Sequence, residues 1–448
     1  MSQILFGLFG LSVLVGLTWL FSNAKRNVDW KLVGTGMVIQ IVFASFVLLT
    51  PFGAGIFDTL ARGFVTLAAF TTEGARMIFG DLATSETLGF IFVFQVLPTV
   101  IFFAALTAIL YHLGVMQVIV KGMAWAITKV MRLSGAETTS VCASIFIGQT
   151  EAPLTVRPYI AKMTDSELLT MMIGGMATIA GGVMATYILM MGGSDPELQM
   201  FYAKHFLAAS VMAAPATFIV AKILIPEMQE PLTRGSVKME IEKTSVNVID
   251  AAAGGAGDGV KLAINIAAML LAFVALIAMI NAMVGGLAGF TGLTAWLNEG
   301  RDPRCLTDAA FAAVSTNGCV QVSLNSILGL LLAPIAWVIG IPWDDAMVAG
   351  GLIGTKVVLN EFIAYLQLSQ IPVGAGVGQI SEQSRIIMTY ALCGFANFAS
   401  IAIQIGGIGS LAPERRQDIA RFGMRAVLGG SVATLMTATI AGVMLNWN

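Results

Sequence analysis

Apolar stretches longer than 18 residues recur along the whole of this chain, and nothing else in the sequence constrains it as strongly. A helix rises about 1.5 Å per residue and the hydrocarbon core of a bilayer is about 30 Å thick, so such stretches read as spanning helices. Composition agrees: 57% of the 448 residues are hydrophobic and 11% are charged. A soluble domain carries about 25% charged residues. The net charge of −2 supplies no basic field for nucleic acid. Cys142, Cys305, Cys319 and Cys393 are scattered, and Cys142 and Cys393 lie in apolar stretches, which argues against a disulfide framework or a zinc site. The 48 glycines suit close helix packing and helix breaks inside a membrane.

Eight full spans are expected, at about 4–22, 33–51, 88–111, 168–192, 205–225, 262–286, 386–410 and 426–446. Residues 1–24 carry no charge, and Lys25 and Arg26 follow the first apolar run. A secretory signal has the reverse order, so 4–22 reads as a first span with its N-terminus outside. Inside loops then hold Lys25, Arg26 and Lys31; Lys121, Lys129, Arg132, Arg157 and Lys162; Arg234, Lys238 and Lys243; and Arg415, Arg416 and Arg421. Outside loops are poorer, with Arg62 and Arg76 in 52–87, none in 193–203, and Arg301, Arg304 and Lys356 in 287–385. Positive charge inside therefore puts both termini outside.

Two apolar segments are too short to span. Residues 140–152, ending before Pro153, would reach only about 20 Å as a helix. Residues 346–360 behave similarly and contain Lys356. Both lead into a carboxylate, Glu151 and Glu361, and both read as re-entrant hairpins, one from each side. The order of elements also repeats. Span 88–111, an interfacial helix at 115–132, a hairpin at 140–163 and spans 168–192 and 205–225 are echoed by span 262–286, a helix near 322–340, a hairpin at 346–371 and spans 386–410 and 426–446. Two spans separate the starts of the units, so the second begins in the opposite direction. That is an inverted-topology repeat, a feature of secondary transporters whose site lies at the repeat interface. Spans 168–192 and 386–410 look broken, at Ala177-Thr178-Ile179-Ala180-Gly181-Gly182 and at Gly394-Phe395-Ala396-Asn397-Phe398-Ala399-Ser400. Unwound backbone at membrane depth is tolerated only where it lines a cavity or is buried in protein.

The first hairpin reads Ser144-Ile145-Phe146-Ile147-Gly148-Gln149-Thr150-Glu151-Ala152-Pro153-Leu154. Gly148 is expected to permit a sharp turn, with Gln149, Thr150 and Glu151 offering donors and acceptors at mid-membrane depth. The second hairpin offers Asn360 and Glu361. A charge at the bilayer centre costs at least about 2.5–3.5 kcal/mol, so two carboxylates at hairpin tips point to a wet site. The alternative is a structural pair with a buried cation, for which Lys356, five residues before Glu361, is the neighbour in sequence. Asn397 and Ser400 could equally tie helices together, Thr178 could bond its own helix, and Phe395 could be core. Met171, Met172, Met176 and Met184 read as packing, and Arg157 and Lys162 as inner-interface residues. His112 and His205 lie near span ends and carry no assigned role. There is no Gly-Lys dipeptide for a phosphate loop, no His-Glu-x-x-His and no Gly-x-Ser-x-Gly, which excludes an ATP-driven pump and an intramembrane hydrolase, so no enzyme is expected. A transporter of another small polar solute, or a channel with two re-entrant hairpins, remains a competing class.

Gly148 through Leu154, followed by Val156-Arg157-Pro158, resembles the signature of the concentrative nucleoside transporter family, in its bacterial branch. Asn360-Glu361-Phe362-Ile363-Ala364-Tyr365, Leu392 through Ser400, Gly406 through Pro413, and Arg415-Arg416 resemble its second-half motifs. The resemblance covers nearly the whole chain. It implies an all-α polytopic membrane protein with eight spans, two re-entrant hairpins and interfacial helices, divided into a scaffold and a transport domain that slides against it. Residues 1–135 and 228–343 would be mainly scaffold, and 136–227 and 344–448 transport domain. The implied function is ion-coupled nucleoside import by an elevator mechanism, driven by sodium or else by protons, in a homotrimer of a bacterial inner membrane. Uridine-like nucleosides are the implied substrate, with no cofactor beyond the coupling ion. By resemblance, Gln149, Thr150, Glu151 and Val183 would meet the nucleobase. Glu361, Asn397 and Ser400 would hold the ribose hydroxyls, with Phe395 lining the pocket. Sodium would take side-chain oxygens of Ser144 and Thr178 and carbonyls of Ile147 and Ile179. The family usually has Asn where this chain has Ser144, which implies a weakened sodium site.

Overall fold

A computed structural model describes residues 2–83, 91–235, 245–297, 322–374 and 379–445. Among them every regular element is helical. The chain opens with α1 (Ser2–Leu20), α2 (Trp30–Leu49) and α3 (Pro51–Phe79), then α4 (Phe92–Gln95), α5 (Leu97–His112) and α6 (Val115–Met131). The first hairpin follows as α7 (Gly135–Ser144), a 3-10 turn at Ala152–Val156 and α8 (Arg157–Ile160). Next come α9 (Asp165–Ala177), α10 (Gly181–Gly192) and α11 (Pro196–Leu224). The second half holds α12 (Val248–Phe290), α13 (Leu293–Leu297), α14 (Leu324–Val338), α15 (Trp343–Val358) and α16 (Glu361–Gln370). It ends with α17 (Glu382–Ala391), α18 (Phe398–Leu411) and α19 (Arg416–Leu445). The expected start of the third span at 88–90, with Lys238, Lys243, Arg301, Arg304, Cys305 and Cys319, lies outside the described residues.

Among the described residues, seven helices or near-continuous helix pairs are long and apolar enough to cross a membrane. The expected span 386–410 is divided between α17 and α18, so neither arm has that length alone. Each expected break and hairpin is present. The first break is narrower than the sequence suggested, with Ala177 still in α9 and Gly181 and Gly182 already in α10, and the second ends earlier, with Phe398 through Ser400 already in α18.

Segment 52–87, read as an outside loop, is largely the long helix α3. Thr50 caps it through the Gly53 N–H and Pro51 occupies its first turn, a placement that suits proline. Its buried residues Phe57, Ala61, Ala68, Thr71 and Ala75 recur at helical spacing. Asp58, Arg62, Glu73 and Arg76 interrupt any apolar run, so a search for spans passes over it. Asp58 pairs with Lys204 of α11 at 2.9 Å. Helix α6 has the same character, burying Met116, Val120, Ala124, Thr128 and Met131.

Three expected spans also begin earlier than their apolar cores. Helix α11 starts at Pro196, capped by Asp195; α12 starts at Val248, capped by Asn247; and α19 starts at Arg416. Caps set where a helix begins, whereas hydropathy reports only the stretch that can sit in lipid.

The helices differ in what surrounds them. In their most apolar windows, α9–α10, α11 and α19 are 83%, 89% and 83% buried, against 17% for α12. The former enclose the interior, and α12 presents its apolar surface outward, with only α5 packed closely along it.

The repeat is visible in how each hairpin is tied to the broken span behind it. In the first half, Ser134 and Thr164 cap α7 and α9, each in a capping box with Glu137 or Glu167, and Ser134 Oγ donates to Glu167 across the junction. In the second half, Asp345 in the first turn of α15 accepts from Ser381 Oγ and Ser384 Oγ, both at 2.6 Å, at the start of α17. Each half thus closes the same junction with a carboxylate–hydroxyl bond, donated from opposite partners. The first half carries an extra carboxylate, and Lys222 of α11 compensates it, 2.8 Å from Glu137 and 3.3 Å from Glu227.

Candidate functional site

The two breaks lie against each other. Gly394 has φ +149, a conformation that side-chain-bearing residues rarely adopt, and a Cβ there would sit 2.8 Å from the Met176 carbonyl oxygen. Glycine is therefore what lets the second break approach the end of α9. Each break also begins a helix whose first N–H groups lack intrahelical partners. Asn397 satisfies one, its side chain accepting from Ser400 N at 2.8 Å. At the second hairpin tip Asn360 does the same for Ile363 N, at 3.0 Å.

From these caps a polar seam runs through the apolar interior. The Glu361 carboxylate, 2% exposed, accepts from Tyr187 OH at 3.0 Å through Oε1 and from Asn397 Nδ2 at 2.9 Å through Oε2. Each oxygen keeps a further lone pair. Lys356 is not its partner: it donates to the Ala391 carbonyl at 2.8 Å and to Thr434 Oγ1 at 2.9 Å. It steadies the second broken span; among the described residues Glu361 has no ion pair, and Lys356 acts on it through charge at longer range only. Three residues beyond Asn397, Ser400 Oγ accepts from Gln149 Nε2 at 3.2 Å. Gln404, one turn further along α18, donates to Gln149 Oε1 at 3.1 Å and to the Met172 carbonyl at 2.9 Å. The seam therefore joins both hairpins and both broken spans.

Of the residues singled out in the sequence, Gln149, Glu361, Asn397 and Ser400 are brought together directly. Thr150 is half-buried against Gly407 of α18. Glu151 is exposed, and a Cβ on Gly148 would collide with its carboxylate. Gly148 has no left-handed backbone, and the chain turns directly after it, with Glu151 N and Ala152 N both donating to its carbonyl. Val183 is buried on the face of α10 that carries Tyr187 one turn later. Phe395 lies half-buried in the second break, against the core.

Ser144 and Thr178 also meet. Thr178 Oγ1 lies 2.9 Å from the Ser144 carbonyl and 2.8 Å from the Gly174 carbonyl and shares its one proton between them, so it links its own helix and the first hairpin. Ser144 Oγ donates to the Ser140 carbonyl at 2.9 Å. The carbonyls of Ile147 and Ile179, both in buried residues outside helices, accept from no backbone N–H among the described residues. Backbone carbonyls left without donors in unwound segments suit a hard monovalent cation. The residues present therefore fit sodium, with Ser144 the member whose hydroxyl is turned back along its own helix.

Sequence reasoning missed Tyr187 and Gln404. Gln404 had a legible signal: it is polar in an apolar helix and stands four residues after Ser400 and seven after Asn397, on one face. Tyr187 had none beyond its hydroxyl, because an aromatic in an apolar span is ordinarily packing.

A membrane-embedded polar seam, shared between two hairpins and two broken helices of an inverted repeat, defines a secondary transporter. Profiles for the Na+ dependent nucleoside transporter N-terminus and C-terminus match residues 9–82 and 205–442, and a nucleoside-recognition "Gate" profile matches 93–194. An uncharacterized transporter of Haemophilus influenzae is 40% identical over 445 residues, covering 99% of this chain and 98% of its own. The nucleoside permease NupC of Helicobacter pylori is 37% identical over 449 residues, with 99% and 98% covered. The structure of CNTnw in an inward-facing substrate-bound state has a TM-score of 0.86 at 38% identity, covering 100% of this chain and 99% of that one. A substituted form of CNTnw in an outward-facing state gives a TM-score of 0.87 at 39% identity. The chain belongs to the Na+-dependent nucleoside transporter family. Its members are transporters and not enzymes, and the solved relatives in outward- and inward-facing states imply alternating access.

Proposed function

We propose that this chain imports uridine-like nucleosides across a bacterial inner membrane by sodium symport. The observation that carries this reading is the seam from Gln404 to Glu361. It offers an amide to a planar base at one end and a carboxylate to a diol at the other. On this reading Gln149, Thr150, Glu151 and Val183 face the nucleobase. Glu361, Asn397 and Ser400 hold the ribose, and Phe395 lines the pocket. Residues 136–227 and 344–448 move as a transport domain, elevator-fashion, against a scaffold formed mainly by 1–135 and 228–343. Both termini lie outside, in keeping with the distribution of Lys and Arg. The outward apolar face of α12 suits a homotrimeric contact.

The coupling ion is sodium on this reading, held by oxygens of Ser144, Ile147, Thr178 and Ile179. Bound there, it supplies positive charge that holds the first hairpin to the first broken span. The decisive experiment is labelled uridine uptake into proteoliposomes with sodium and proton gradients imposed separately. Accumulation should follow the sodium gradient. Equal uptake with no ion gradient, or uptake following only protons, would overturn the coupling.

Ser144 makes a narrower expectation. An asparagine amide oxygen reaches one bond further than a hydroxyl, and it would not be spent on the Ser140 carbonyl. Ser144→Asn should therefore steepen the dependence of uridine affinity on sodium. Identical titration curves for the two proteins would show that residue 144 is no ligand.

A further inference from the structure

We infer that Gln404 is a positioning residue that sets the hydrogen-bonding polarity of the base end of the site, so that this transporter selects a nucleobase offering a carbonyl there over one offering an amino group. The inference rests on the reading that Gln149 meets the base. It adds a residue, and a direction of selectivity, that the reading does not contain.

An amide side chain has two faces of opposite character, an oxygen that accepts and an NH2 that donates, and its orientation follows from its neighbours. For most buried glutamines the neighbours are themselves reversible. Here one is not. The Met172 carbonyl only accepts, and Gln404 faces it at 2.9 Å, so Gln404 must present Nε2. The same nitrogen lies 3.1 Å from Gln149, which must therefore present Oε1. Gln149 Nε2 then points the other way, to Ser400 Oγ at 3.2 Å. One of its two N–H groups serves Ser400, and the second remains for a ligand. Reversing Gln404 would set its oxygen against the Met172 carbonyl. The existing orientation instead leaves Gln404 Oε1 buried without a hydrogen bond.

Close approach is built in. Gly175, on α9, has no side chain where one would meet the Gln149 Cβ at 2.9 Å and Gln404 Nε2 at 3.1 Å. Both amides are therefore pressed against the same helix turn that supplies the Met172 carbonyl. Gln149 and Gln404 are 7% and 0% exposed, so in this arrangement water does little to scramble the relay.

The consequence for substrate is a base contact in which Gln149 presents an N–H, its oxygen being turned towards Gln404. Uridine carries a carbonyl at the exocyclic position where cytidine carries an amino group, so the pair probes this polarity with the sugar held constant. A buried donor facing another donor leaves both unpaired, and that mismatch is the source of discrimination.

The test is calorimetric binding of uridine and of cytidine to the purified full chain, comparing Gln404→Met and Gln149→Ala with wild type. Methionine keeps the volume of Gln404 and removes the donor, freeing the Gln149 amide to reverse. Wild type should prefer uridine. Gln404→Met should bring the uridine-to-cytidine affinity ratio down by about tenfold, towards one, largely by improving cytidine. A merely structural role would weaken both nucleosides together and leave the ratio alone. An unchanged ratio in Gln404→Met beside an altered one in Gln149→Ala would overturn the orienting role and keep the base contact. An unchanged ratio in both variants would overturn the base contact itself. A wild-type preference for cytidine would overturn the polarity. Should the methionine variant not accumulate, Gln404→Leu makes the same comparison.

Discussion

Replacing Glu361 by alanine is expected to abolish uridine binding while the protein still inserts and assembles. The carboxylate is buried and, among the described residues, has no ion pair; its oxygens accept from Tyr187 and Asn397 and from its own backbone N–H. Those two neighbours remove some of the penalty of burying a charge, but a solitary carboxylate in this interior is retained for what it binds. Two ribose hydroxyls donating to its remaining lone pairs would form charge-assisted hydrogen bonds. At about 1.5–3 kcal/mol each, their loss weakens binding by roughly 10²- to 10⁴-fold, beyond the range of ordinary calorimetry. Folding should survive, because alanine removes a charge from an apolar surrounding and leaves Tyr187 packed on Phe362 and Tyr365. Wild-type uridine affinity in Glu361→Ala would place the sugar elsewhere. A variant that fails to elute as a folded species would instead make Glu361 structural.

The second large effect concerns stability and lies away from the seam. Lys222 is surrounded by Glu137 at 2.8 Å, Glu227 at 3.3 Å and the Ser166 hydroxyl at 3.0 Å, and Glu167 is bonded to the same junction through Ser134. Lys222 and Glu137 have side chains only 4% and 1% exposed. Removing one partner of a buried pair leaves the other charge uncompensated, at a cost of about 3–5 kcal/mol. Lys222→Met should therefore lower the thermal midpoint of the detergent-purified protein markedly, and adding Glu137→Gln should recover much of the loss. A midpoint unmoved by Lys222→Met would mean that the cluster contributes nothing net. At the equivalent junction in the second half, Asp345 meets two hydroxyls and a backbone N–H, and among the described residues no cation pairs with it.

These two sites differ in how far the sequence foretold them. Glu361, Asn397, Ser400 and Gln149 stood out because polar groups in apolar stretches are expensive, and because the motifs around them resemble those of one family. The Lys222 cluster did not stand out. Glu137 and Glu167 sit in capping boxes at the starts of α7 and α9, Lys222 lies in the last turn of α11 and Glu227 just beyond it. Only the packing of α11 against α9 and α7 turns these four residues into one network. Helix α3 was missed for a related reason. Its stripe of buried residues has helical period, but charges at every second turn or so erase the mean hydropathy by which spans are found.

What the sequence determined alone was the membrane, the apolar spans and the breaks. Each follows from local physics: lipid requires about 20 apolar residues in a span, and a hairpin too short to cross must turn back. It also supplied the order of elements, from which the inverted repeat follows. What only the tertiary structure decided was partnership. Gln404 and Gln149 are 255 positions apart, Glu361 and Tyr187 are 174 apart, and Lys356 bonds Ala391 and Thr434, not the carboxylate nearest to it in sequence. A hydrogen bond is specified by distance and direction over a few ångströms, and those are set by how whole helices pack. No pattern along the chain carries that information until the helices have met.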